Sequence, residues 1–116
     1  MANTQKTWAI IAGIVLVLIG LLGFIQSPLL GIFSVNALHN LVHIVTGAIF
    51  LWAGFTKSKV VKQTNQWLGV IYIAVALIGF FGLLTFLAVN AGNDPDNWLH
   101  LILGIVSAGV GWGVKQ

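Results

Sequence analysis

The sequence predicts an all-α integral membrane protein, a four-helix bundle made of two tandem two-helix hairpins. Three observations lead there. Of 116 residues, 59% are hydrophobic and 6% are charged, giving a mean hydropathy of +1.02. A soluble domain carries about a quarter of its residues as charges. Four long apolar runs follow one another along the chain. Finally, Asn40-Leu-Val-His43-Ile-Val-Thr-Gly47 returns 57 positions later as Asn97-Trp-Leu-His100-Leu-Ile-Leu-Gly104.

The runs form one membrane domain, 1–116, with spans expected at about 8–25, 38–55, 67–89 and 96–114. Roughly 20 helical residues cross the hydrocarbon layer. The first run, Trp8–Ile25, is long enough. Lys6 ahead of it resembles the basic region of a signal peptide, but no clean small-x-small cleavage signal follows, so it is read as a retained span. Gln26–Asn36 is mostly apolar and holds a Pro, which suits a segment lying along the outer interface.

The second run needs its polar leading turn, His39–Asn40, to reach full thickness, with Asn36 placed to cap it. The third, Trp67–Val89, is long enough by itself. The fourth opens on Asp94-Pro95, where Asp satisfies free N–H groups and Pro fits the first helical position. Its polar turn, Asp96–Asn97, should sit at headgroup level like that of the second span.

Trp8, Gly20 and Gly23 match Trp67, Gly79 and Gly82 at an offset of 59, so the repeat units are expected at about 8–55 and 67–114. Two crossings per unit leave the copies in one orientation, a parallel repeat about a pseudo-twofold axis along the membrane normal. Lys6, Lys57, Lys59, Lys62 and Lys115 then share one side, while Asp94 and Asp96 share the other. The positive-inside rule puts both termini in the cytoplasm. Trp8, Trp52, Trp67 and Trp112 map near the lysine side and Trp98 near the opposite one, as interfacial rings do.

Much chemistry is excluded. With no cysteine there is no disulfide, thiol nucleophile or Cys-ligated metal. The five lysines are scattered, make no basic patch, and point away from nucleic acid. No phosphate-cradling glycine loop occurs, and Ser27, Ser34, Ser58 and Ser107 lack a base and an orienting group. An enzyme is therefore not expected.

What remains is a polar set at the outer helix ends: His39, Asn40, His43, Asp96, Asn97 and His100. Residues four apart share a helix face, which aligns His39, His43 and Gly47 on one helix and Asp96, His100 and Gly104 on the other. Four readings are open. The set can pin helix register through hydrogen bonds worth about 1 kcal/mol each. It can bind a divalent metal through His39, His43 and His100, with Asp96 completing a tetrahedron. It can hold haem between two histidines, or bind and transport a small or lipidic ligand. Gly47 and Gly104, a turn deeper, leave room for close helix approach or for a ligand. Further small-residue spacings, Gly109/Gly113 among them, suggest tight packing.

The Leu30-Gly-Ile-Phe-Ser-Val-Asn-Ala-Leu-His-Asn-Leu-Val-His43 segment, Leu68-Gly-Val-Ile-Tyr72 and Asp96-Asn-Trp-Leu-His100 resemble a family of small bacterial membrane proteins, domain of unknown function 4383. The resemblance runs from about Gly13 to Gly111. It implies a four-span protein of the bacterial cytoplasmic membrane and brings no activity with it. The leading expectation is a non-enzymatic membrane protein whose outward-facing Asn/His cluster packs the bundle and binds a ligand or partner. No cofactor is the favoured reading, with metal or haem as the alternatives. The expected partners are the lipid bilayer and either further copies of the chain or a larger complex it serves as an accessory subunit.

Overall fold

The computed structural model describes residues 3–115. Its described residues form α1 (Thr4–Ile25), α2 (Ala37–Gly54), α3 (Ser58–Phe80) and α4 (Pro95–Gly113), with a short 3-10 turn at Thr85–Leu87. The only extended pairing among them is an isolated bridge from Leu29 to Phe33. Helices α1, α2 and α3 are each long and apolar enough to cross a membrane. Helix α4 has 19 residues and spends its first turn on Pro95, Asp96 and Asn97.

The caps follow the residue chemistry. Asn36 Oδ1 accepts from the His39 amide at 2.9 Å, and Asp94 Oδ1 accepts from the Asp96 amide at 2.9 Å with Pro95 opening α4. Such caps are needed because lipid offers no partner to a free amide. Asn36 also donates to the Phe86 carbonyl at 2.8 Å, tying the start of α2 to the loop after α3.

The apolar run 67–89 is not one helix. Helix α3 begins nine residues earlier, at Ser58, and ends at Phe80. Gly82 turns with φ of +77°, and the chain then folds back through the 3-10 turn to bury Leu84, Leu87 and Val89. Periodic hydrophobicity could not see this, because a buried apolar loop reads like more helix.

The bundle is apolar outside. Ile11, Leu18, Leu21, Leu77 and Ile102 face outward, whereas Ala9, Ala12, Ala53, Ala76, several glycines and a set of polar side chains face inward. Water-soluble cores invert this pattern, whereas lipid-embedded bundles pack on small residues. Helix α1 packs mainly on α2, and α3 mainly on α4.

Glycine sets the close contacts. A Cβ on Gly47 would sit 2.8 Å from the Val17 amide nitrogen and 2.9 Å from the Gly13 carbonyl. One on Gly104 would sit 2.6 Å from the Ile73 amide nitrogen and 2.8 Å from the Gly69 carbonyl. Gly47 and Gly104 are thus filled by helix approach, which leaves no ligand space at these two positions. Gly109 and Gly113 have no neighbour within 4 Å and face open space, against the tight packing expected of them. The paired contacts relate Gly13 to Gly69 and Gly23 to Gly79, a separation of 56, where the Trp and Gly matches suggested 59. A packed hairpin aligns the faces pressed together, and Trp8 and Trp67 do not share that face register.

Candidate functional site

His39 and His43 stand on successive turns at the start of α2, and His100 projects from the second turn of α4. The fold brings all three together. Ring centroids are 4.4 Å apart for His39 and His43, 5.6 Å for His39 and His100, and 6.0 Å for His43 and His100. One nitrogen from each ring lies within 4.8 Å of the others. His43 is only 1% exposed and His100 only 2%.

These rings lack partners. Both nitrogens of His39, both of His43 and Nδ1 of His100 are buried without a hydrogen bond. The Leu87 and Ser34 backbones lie close to His39 without reaching hydrogen-bond geometry. Each buried polar atom left unpaired costs about 1–3 kcal/mol. No side-chain hydrogen bond joins the three imidazoles to one another.

The remaining candidates divide. Asn40 and Asn97 turn away from the imidazoles and onto glycines: a Cβ on Gly23 would collide with Asn40 Oδ1, and one on Gly79 with Asn97 Oδ1. Asn97 also donates to the carbonyls of Asn90 at 2.8 Å and Gly92 at 3.1 Å, closing the loop before α4. The two asparagines pack against the glycines of the facing helices, with both Oδ1 atoms left without a hydrogen bond. Asp96 is 1% exposed with both oxygens unpaired, one turn before His100 on the same face of α4. The clustered ligand set is His39, His43 and His100, without Asp96.

Two cavities flank the triad, and His43 and His100 line both. One, of about 70 Å³, lies between α2 and α3 beside Thr46, Tyr72 and Leu87. There the Tyr72 hydroxyl and Thr46 Oγ1 share a 2.6 Å hydrogen bond. The other, of about 190 Å³, lies between α1 and α4. Both are smaller than the roughly 300 Å³ at which organic-ligand pockets begin.

A second buried polar cluster was not expected from sequence. Gln5 Nε2 donates to the carbonyls of Val110 at 2.7 Å and Val114 at 2.8 Å, joining α1 to the end of α4. Asn65 Nδ2 donates to the Gln5 carbonyl at 3.0 Å and to Gln5 Oε1 at 2.8 Å, adding α3. Trp8 Nε1 donates to Ser107 Oγ at 2.9 Å. Gln5 and Asn65 precede the apolar runs and so read as loop residues, although both lie within helices. A polar residue just ahead of each Trp was the available signal.

No curated protein and no solved structure is detectably similar to the chain. The family described as domain of unknown function (DUF4383) matches residues 6–113, which contain the three histidines and the glycine contacts between the helices, and the chain belongs to it.

Proposed function

We propose that the protein is a four-span, two-hairpin membrane bundle that binds a transition-metal ion through His39, His43 and His100. The observation that carries this reading is three buried imidazoles, on α2 and α4, with one nitrogen from each within 4.8 Å of the others and five of their six ring nitrogens buried without a hydrogen bond. Metal–nitrogen bonds of about 2.0–2.1 Å put tetrahedral ligands roughly 3.3 Å apart, so small side-chain rotations close the set. Neutral imidazoles without thiolate favour zinc, copper, nickel or iron. The role is non-enzymatic, in metal handling or storage of a redox ion. Asp96 lies one turn before His100 on α4, and its carboxyl, if ionised when a cation binds, would offset part of the penalty of burying that charge.

The two-hairpin repeat is supported by the buried faces. Gln5, Ala9, Ala12, Gly13, Leu16, Gly20 and Gly23 of α1 correspond at a spacing of 56 to Val61, Asn65, Leu68, Gly69, Tyr72, Ala76 and Gly79 of α3. The asparagine–glycine contacts recur with them. The lysine distribution supports cytoplasmic termini in a bacterial cytoplasmic membrane, with the histidines toward the outer side.

Elemental analysis of untagged protein purified in detergent tests the proposal. One equivalent of metal per chain is expected, taken up from zinc or cobalt solution after chelation. Protein that binds no first-row metal above the His43→Gln/His100→Gln background would refute it.

A further inference from the structure

The two seams between the hairpins are not alike. In the α2–α3 seam, Tyr72 and Thr46 bond to each other and leave a small cavity. Under the repeat register, the corresponding positions in the α1–α4 seam hold Leu16 and Leu103, which cannot bond. That seam instead encloses about 190 Å³ lined by Ala12, Leu16, Ile19, Leu99 and Leu103, with His43 and His100 also in its wall. Ile11, Val15 and Ile102 at its rim are about half exposed, on the outward apolar surface.

The dimensions select an occupant. An apolar cavity of about 150 Å³ holds a benzene-sized molecule, so this one admits a single small ring. Its aliphatic walls reject charge, because burying an unpaired ion is costly. Two of the three proposed metal ligands, His43 and His100, belong to its wall. A site with three protein ligands keeps one coordination position for an outside ligand.

We propose that the α1–α4 cavity is a lateral pocket through which a neutral, ring-sized, lipid-soluble molecule with one donor nitrogen reaches the fourth position of a metal held by His39, His43 and His100. The inference rests on the metal reading above. It adds the ligand class, the route and the seam that admits it.

Cobalt(II) protein in lipid nanodiscs, titrated with pyridine, tests this. Visible d–d bands report both metal occupancy and the fourth ligand. A saturable band shift with pyridine is expected, at least tenfold weaker in Ala12→Leu and in Leu103→Phe, while both variants keep the unliganded cobalt spectrum. Azide, small but charged, should shift the bands at least tenfold less effectively. Cobalt bands unmoved by pyridine, pyridine affinity unchanged in both filled variants that retain cobalt, or azide binding as well as pyridine would overturn the pocket and leave the metal site standing. Absence of cobalt bands would overturn both. If one filled variant loses cobalt, the other decides the matter.

Discussion

The bundle buries polar groups at both ends and treats them in opposite ways. At the lysine end, Gln5, Asn65, Trp8 and Ser107 join α1, α3 and α4 through hydrogen bonds of 2.7–3.0 Å, and within this cluster Asn65 Oδ1 is the atom left unpaired. At the other end, three imidazoles and a carboxylate are equally buried and almost wholly unpaired. Burial is the same at the two ends; hydrogen-bond satisfaction is not. Buried polar atoms in folded proteins nearly always have partners. The lysine end therefore reads as a clamp, and the histidine end is where the proposed metal would supply the missing partner.

The widest separation of the two ends comes from removing the imidazoles. The double variant His43→Gln/His100→Gln should lose metal, with affinity falling at least about 100-fold because two of three ligands are gone. The apoprotein should keep its thermal midpoint, since one buried, unpaired polar side chain replaces another of similar size. Loss of fold without metal would break the comparison. Next is the clamp: Gln5→Leu strips the Val110 and Val114 carbonyls of their donor and Asn65 of one of its two acceptors, and should lower stability by about 2–4 kcal/mol with metal stoichiometry unchanged. Denaturation in detergent alongside elemental analysis reads both.

Saturating zinc gives an intermediate effect. At 100 times the dissociation constant it should stabilise wild type by about 2.7 kcal/mol, and the double histidine variant not at all. Asp96→Asn should weaken metal binding about tenfold, toward the low end for groups outside the ligand set, as measured by competition with a chelator. The smallest change belongs to Tyr72→Phe, which removes the Thr46 bond for about 1 kcal/mol while metal binding persists. A large loss of metal there would mean the closed seam also shapes the site.

The parts legible in sequence were those written in local patterns. The caps at Asn36 and Asp94, the apolar spans and the face shared by His39 and His43 all follow from spacing along one helix. The split between asparagine and histidine was not legible, since Asn40 and His43 share a helix, and only the position of α1 turns Asn40 onto Gly23. The end of α3 was hidden by an apolar loop. Gln5 and Asn65 were hidden because their helices begin ahead of the hydrophobic runs.

By itself the sequence determined that this chain forms apolar helices and that three histidines fall near their ends, because hydropathy and helical period act over a few neighbouring residues. Tertiary structure decided which polar groups meet. Gly13, Gly47, Gly69 and Gly104 let helix backbones approach within van der Waals reach. That approach fixes the register in which Gln5 finds its carbonyls, Asn40 and Asn97 find their glycines, and the imidazoles find one another.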